Sequence, residues 1–187
     1  MKIFIDPGHG GNDNGAAYGD RYDYLEEDDH NLAVGIMLQY ELMLAGHRVM
    51  MSRTSDIDVN LRSRAIMANV WGADVFVSIH ADAWHKQTTS GISTHIHPAC
   101  SPQALRLGEC VHASLAERLA ERVNRGLKRS DFYVLRKTTM PAILVECEFI
   151  SNPDSRRFLR EPENQQALAQ IIRYGISRYA SMRGAGL

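Results

Sequence analysis

Apolar positions along this chain follow two rhythms: short unbroken runs, and longer stretches in which they recur every three or four residues. The first run, residues 2–6, stops abruptly at Pro7-Gly8 and reads as a buried strand. From about residue 26 to 45, Leu32, Ile36, Met37, Tyr40 and Leu44 recur at helical spacing until Gly46 stops them. Residues 47–53 predict a second strand, and about 60–71 a second helix ended by Gly72. Residues 74–80 are the most strand-like stretch in the chain, and 91–97 predict another strand. Ser101-Pro102 supplies an N-cap and a first-turn proline. The long helix they open carries Leu107, Val111, Leu115, Leu119 and Val123 on one stripe. Residues 131–136 and 142–146 complete the strands. Asn152-Pro153-Asp154 opens a short helix, and a last amphipathic helix covers about 163–179. This alternation predicts an α/β fold: a single-domain open, mostly parallel twisted sheet with helices on both faces. The domain is expected to occupy residues 1–181, with 182–187 a tail or the start of a linker.

Composition narrows the possibilities. A chain of 187 residues can bury a real core, and 44% hydrophobic with 23% charged residues is ordinary for a globular protein. The formal net charge of -1 leaves no electrostatic footprint for nucleic acid, and no apolar run approaches membrane-spanning length. Neither nucleic-acid binding nor membrane insertion is expected, and a monomer is. Three cysteines, Cys100, Cys110 and Cys147, form no CxxC pair and are too few for a disulfide framework. The chain begins on its first strand with no secretion signal ahead of it, so the expectation is synthesis in the cytoplasm or excision from a longer secreted protein.

Two charge runs need little function. Asp20, Asp23, Glu26, Glu27, Asp28 and Asp29 crowd a helix start, where the macrodipole favours each by a few tenths to about 1 kcal/mol. Arg118, Arg122, Arg125, Lys128 and Arg129 are expected at the basic end of the long helix, for the same reason in reverse.

Candidate chemistry gathers at strand ends. His9 follows the first strand among Gly8, Gly10 and Gly11, at the carboxyl end where open α/β sheets place their ligands. His80 ends the most apolar strand, which predicts that it emerges at the same edge. Two histidines at one sheet edge suit a zinc site, which takes three protein ligands and leaves one position open. The acidic tract can supply the third. Glu146 closes the last strand, where a carboxylate is costly to bury unless partnered. It suits a general base, or else is a carboxylate held by Arg64 or Arg136. His95 and His97 share a strand face that lines a groove or lies half-exposed. His30, His47, His85 and His112 point to no site.

Five blocks then occur in order: Asp6-Pro7-Gly8-His9-Gly10-Gly11; Glu27-x-x-x-Asn31-Leu32; Leu61-x-x-Arg64-x-x-x-Ala68-Asn69; Ala73-Asp74-x-Phe76-Val77-Ser78-Ile79-His80-Ala81; and Pro141-Ala142-Ile143-Leu144-Val145-Glu146-x-x-Phe149-Ile150-Ser151-Asn152. This succession resembles the type-3 zinc-dependent N-acetylmuramoyl-L-alanine amidases, the catalytic domains of bacterial autolysins and phage endolysins. The resemblance implies one zinc ion held by His9, Glu27 and His80, with Glu146 as catalytic glutamate and peptidoglycan as substrate. Gly10, Gly11, Asp82, Arg136 and Glu148 are expected to face that substrate, the glycines by leaving room for it. Two positions depart from the family pattern: Glu148 where glycine is usual, and Asp82 where asparagine is common. If the strand continues, Glu148 projects on the same face as Glu146. An impaired wall-binding domain and a zinc hydrolase of a different amide are the alternative readings. The expected place of action is the cell wall, reached through a phage holin or as part of a secreted autolysin.

Overall fold

The computed structural model describes residues 1–184, in the order β1 (Lys2–Pro7), β2 (Ala17–Tyr18), β3 (Leu25–Glu26), α1 (Glu27–Leu44), β4 (Arg48–Met51), α2 (Leu61–Trp71), β5 (Val75–Asp82), β6 (Ile92–Ile96), α3 (Pro102–Arg118), β7 (Asn124–Arg129), α4 (Tyr133–Lys137), β8 (Ala142–Phe149), α5 (Pro153–Arg160) and α6 (Pro162–Gly184). Six strands form one sheet in the order β4-β1-β5-β8-β6-β7. Every neighbouring pair is parallel except β6 against β8.

The unbroken apolar runs are explained by burial on both faces. Along β1, Ile3 and Ile5 enter one core while Phe4 enters the other; Val75 and Val77 of β5 oppose Phe76 in the same way. The larger core packs α1, α3 and α6 on one face, through Leu38, Leu42, Leu107, Val111, Leu115 and Ile172 among others. The other face carries only α2, of 11 residues, and α4, of 5. Ala68, Val134 and Leu135 seat these two helices on Phe4, Phe76 and Leu144. Near the strands' carboxyl ends a groove between α2 and α4 reaches His80 and Glu146 on this face.

Local capping follows the sequence closely at α2 and α3. The Asn60 side chain accepts from Ser63 N, Gly72 adopts φ 68° at the far end, and Ser101 caps α3 ahead of Pro102. Four expectations need correction. The long helix ends at Arg118, and the chain re-enters as edge strand β7, so Arg125, Lys128 and Arg129 lie on a strand while Val123 is exposed. Pairing with β6, and insertion of Leu127 against Gly108, override the helical pattern. Residues 133–137 form a short helix, because the adjacent apolar pair Val134 and Leu135 packs onto α2 and makes no sheet pairing. The acidic tract holds a small hairpin, β2 with β3. Finally, α6 continues beyond Tyr179, with Arg183 stacked over the Tyr179 ring; of the expected tail, 182–184 are helical and 185–187 lie outside the described residues.

Candidate active site

The chain leaves β1 through a strained turn. His9 has φ 60°, the only positive φ outside glycine among the described residues, and Gly10 and Gly11 follow at 124° and 69°. Two buried arginines hold this turn by its carbonyl oxygens. Arg53 donates to Pro7 O (3.1 Å) and Gly8 O (2.9 Å); Arg64 donates to Pro7 O (2.6 Å) and His9 O (2.7 Å). Arg64 also pairs with the Asp6 carboxylate at 2.8 Å, and Ser78 Oγ donates to the same carboxylate at 2.9 Å. Arg64 therefore has a partner other than Glu146.

Around that turn, His9, Glu27 and His80 each present one metal-ligating atom, all within 4.8 Å of one another. Glu27 is the first residue of α1, where the short β3 delivers it, and is 6% exposed. Its Oε1 lies 2.9 Å from His80 Nδ1 and 3.3 Å from His9 Nε2, while Ala16 N donates to Oε2 at 3.0 Å. His9 Nδ1 meets Asp13 Oδ2 at 2.9 Å, which fixes the ring and aims Nε2 at Glu27. Burial disfavours a charged His9, but the hydrogen bond and charge of Glu27, reinforced by Asp13, raise its pKa to about 9. For Glu27, burial pushes the carboxyl upward, yet His80 and His9 together hold it well below the usual carboxylate range.

Glycines make room for these side chains. A Cβ on Gly8 would lie 2.1 Å from His80 Cε1, and one on Gly15 would lie 2.6 Å from both Glu27 Oε2 and the His9 ring. Gly10 and Gly11 have a different role from the one expected. A Cβ there would strike Ile57 O at 2.7 Å or Asp58 N at 2.5 Å, so they accommodate the loop after Arg53. Gly11 N donates to Asp56, and Asn12 bonds Asp58, on that same loop.

Glu146 pairs in register with His80. It is 8% exposed, and its buried Oε2 has no hydrogen-bond partner. Burial, then repulsion from Glu27 and Asp82, pushes its carboxyl well above the usual range, with Lys128 opposing. His9, His80 and Glu146 share a groove of about 520 Å³ with Arg64, Phe132 and Tyr133.

Glu148 does not join Glu146. The register slips between His80 and Asp82, where Asp82 pairs with Phe149 and not with Glu148. Glu148 is 0% exposed and accepts hydrogen bonds from Gly91 N, Phe149 N and Ser155 Oγ, with Arg122 3.9 Å away. It ties β8 to α5 and cannot touch substrate. Arg136 pairs with Asp131 and borders a separate recess with His97 and Cys100. Asp82 does face a groove, a second one on the β7 side. His95 is held between Ser93 and Ser130, and His97 meets Asp131. Sequence reasoning missed Asp13, Gly15 and the Arg53–Arg64 clamp. The i,i+4 spacing of His9 and Asp13 was the one local signal available.

The family model described as N-acetylmuramoyl-L-alanine amidase matches residues 3–178. Over 180 residues the chain is 35% identical to N-acetylmuramoyl-L-alanine amidase CwlM of Bacillus licheniformis, covering 95% of this chain and 68% of that protein. It is 33% identical to the probable cell wall amidase LytH of Staphylococcus aureus, covering 96% of this chain and 58% of LytH. Among solved structures, it is similar to an N-acetylmuramoyl-L-alanine amidase from Clostridium difficile 630, with TM-score 0.90, 35% identity and 96% of each chain covered. The catalytic domain of CwlV from Bacillus (Paenibacillus) polymyxa var. colistinus superimposes with TM-score 0.89 at 30% identity, covering 96% of this chain and 98% of that one.

Proposed function

This chain belongs to the N-acetylmuramoyl-L-alanine amidase family, and we propose that it hydrolyses the amide between the lactyl group of N-acetylmuramic acid and L-alanine in peptidoglycan, with one zinc ion held by His9, Glu27 and His80. The observation that carries this reading is the register pairing of His80 with a buried, unpartnered Glu146 beside the three convergent ligand atoms. Two imidazoles and a carboxylate fit a catalytic zinc site, which takes three such ligands. When bound, zinc polarises the scissile carbonyl and acidifies water.

The chain's own groups do the rest. Asp13 fixes the ring of His9, and the two buried arginines hold the turn that carries it. Glu146, with its raised pKa, takes the proton of the attacking water and returns it to the departing L-alanine amine. Its buried Oε2 carries no competing hydrogen bond from the protein. The groove beside it, bounded by Phe132 and Tyr133, receives the substrate. The catalytic domain takes in residues 1–181 and the remainder of α6, and it acts on the cell wall.

Digestion of purified peptidoglycan tests the assignment. Release of L-alanine amino termini without new reducing sugar ends, by protein carrying one zinc per chain, is the expected result. New amino termini from any other residue, or new reducing ends, would overturn it.

A further inference from the structure

A second recess, of about 640 Å³, lies on the β7 side of Glu146. Its walls include Asp82, Trp84, Lys86, Arg125, Lys128 and Phe149, so three cations face a single carboxylate. Lys128 is half-buried and has no hydrogen-bond or ion-pair partner among the described residues. The Arg125 guanidinium carbon lies 4.9 Å from the centre of the Phe149 ring, and among the described residues the group donates only to Ser90 O, at 3.2 Å. Asp82 is the one carboxylate on these walls, and its Oδ1 accepts from Ala83 N.

Sheet register places Lys128 relative to the chemistry. Glu146 pairs with Ser93 of β6, and His95, two residues along the same face, pairs with Lys128 of β7. Two inter-strand steps separate the backbones of Glu146 and Lys128 by roughly 10 Å across the sheet. An extended peptide advances about 3.5 Å per residue. The second or third residue beyond a scissile bond at Glu146 therefore reaches the recess. On the opposite flank, Phe132 and Tyr133 offer aromatic and apolar surface without a free cation, which suits a neutral sugar better than an anion.

We propose that Lys128 and Arg125 form a carboxylate-binding subsite for the stem peptide, and so determine specificity by reading an ionised carboxylate two or three residues past the scissile amide. This rests on the amidase reading and adds a direction to it: peptide towards β7, glycan towards α4. A carboxylate meeting a lysine and an arginine makes charge-assisted bonds that its amide cannot, so amidation of the recognised carboxylate weakens binding about tenfold.

The test uses N-acetylmuramoyl-L-alanyl-D-isoglutamyl-L-lysine and two relatives, one amidated at the second residue and one at the third. For the zinc-loaded protein, one of the two amidations raises KM about tenfold with little change in kcat. That discrimination disappears in Lys128→Gln/Arg125→Gln and persists in Lys128→Arg. Calorimetry with the released tripeptides gives the same ranking without turnover. Equal KM and equal affinity for all three compounds would overturn the subsite, as would unchanged discrimination in the double variant. Carboxylate-dependent binding without hydrolysis of any of the three would sustain the subsite and sink the amidase reading, so the two fail separately.

Discussion

His80 and Glu146 are register partners on the adjacent parallel strands β5 and β8, so an imidazole of the His9–Glu27–His80 cluster and a buried carboxylate lie side by side on one face of the sheet. Its Oε2 is buried and unpartnered, so the ionised group gains no hydrogen bond there that would help hold the fold.

Replacing Glu146 by glutamine separates function from stability. Loss of a positioned base slows turnover by about 10²–10⁴-fold, while the zinc ligands remain in place. Removing the poorly solvated carboxylate leaves the melting temperature unchanged or raises it. Metal analysis, peptidoglycan turnover and thermal denaturation check this together; a variant that folds, holds zinc and still turns over at the parent rate would sink the role.

The Gly8 position tests why the motif needs glycine. In Gly8→Ala the new methyl meets the His80 ring at 2.1 Å, and the ring cannot retreat without leaving Glu27. Overpacking of this kind costs about 1–3 kcal/mol, and zinc affinity falls with it. Gly46→Ala is the control, since its φ of 80° is strained but nothing lies within 4 Å of the added carbon. Gly8→Ala should lose zinc at chelator concentrations that Gly46→Ala tolerates, as equilibrium dialysis would show.

Much of this site was legible because its principal groups end apolar runs. His9 lies two residues past the end of β1, and His80 and Glu146 lie near the carboxyl ends of β5 and β8, which continue to Asp82 and Phe149; the parallel topology brings these ends to one edge. Glu27 stood in a tract of six carboxylates and needed the family spacing to be singled out. What could not be read depends on contacts between distant segments. Gly8 clears space for a ring 72 positions away, and Arg64 reaches back 55 residues to the His9 carbonyl. Glu148 was misplaced because period-two reasoning assumes an unbroken strand, whereas β8 slips register before reaching it. The β7 edge strand was read as helix for a related reason: its stripe continued that of α3, and only pairing with β6 decides otherwise.

Arg64 is the structural keystone of the strained turn. It is 3% exposed and bonds the Asp6 carboxylate together with three backbone carbonyls, those of Val59, Pro7 and His9. Arg64→Ala leaves Asp6 buried with only Ser78 Oγ for support, and breaking a buried pair from one side costs about 3–5 kcal/mol. Arg64→Lys recovers only part of this, because an ammonium cannot span the same acceptors. Chemical denaturation of the three proteins gives the order; equal stability of Arg64→Ala and the parent would remove the clamp from the account.

In the metal-free chain, His9 is protonated up to about pH 9, so zinc uptake displaces a proton. Apparent zinc affinity therefore rises with pH, by about tenfold per unit between pH 6 and 8. Asp13→Ala removes the group that orients His9, and affinity drops by about 10–100-fold at fixed pH. Zinc titrations in weakly buffered indicator solution measure both; uptake without proton release would contradict the His9 assignment.

Acid stability offers the last test, through a histidine remote from the groove. His30 is fully buried in α1; burial lowers its pKa to about 4, against which the hydrogen bond from Nδ1 to Leu159 O works only weakly. Its unfolded value is near 6.5. Between those values the unfolded chain binds the extra proton, so the neutral-ring contribution is fully present above about pH 6.5 and is lost as pH falls towards 4. The difference corresponds to at most about 3 kcal/mol. Glu27 and the other shifted carboxylates titrate in both the parent and a His30→Gln variant, so subtracting the two unfolding curves isolates the imidazole. The parent should lose stability more steeply than His30→Gln from pH 6.5 to pH 4, with the curves running parallel above pH 7. Parallel curves throughout would mean that the ring is as readily protonated in the folded chain as in the unfolded one.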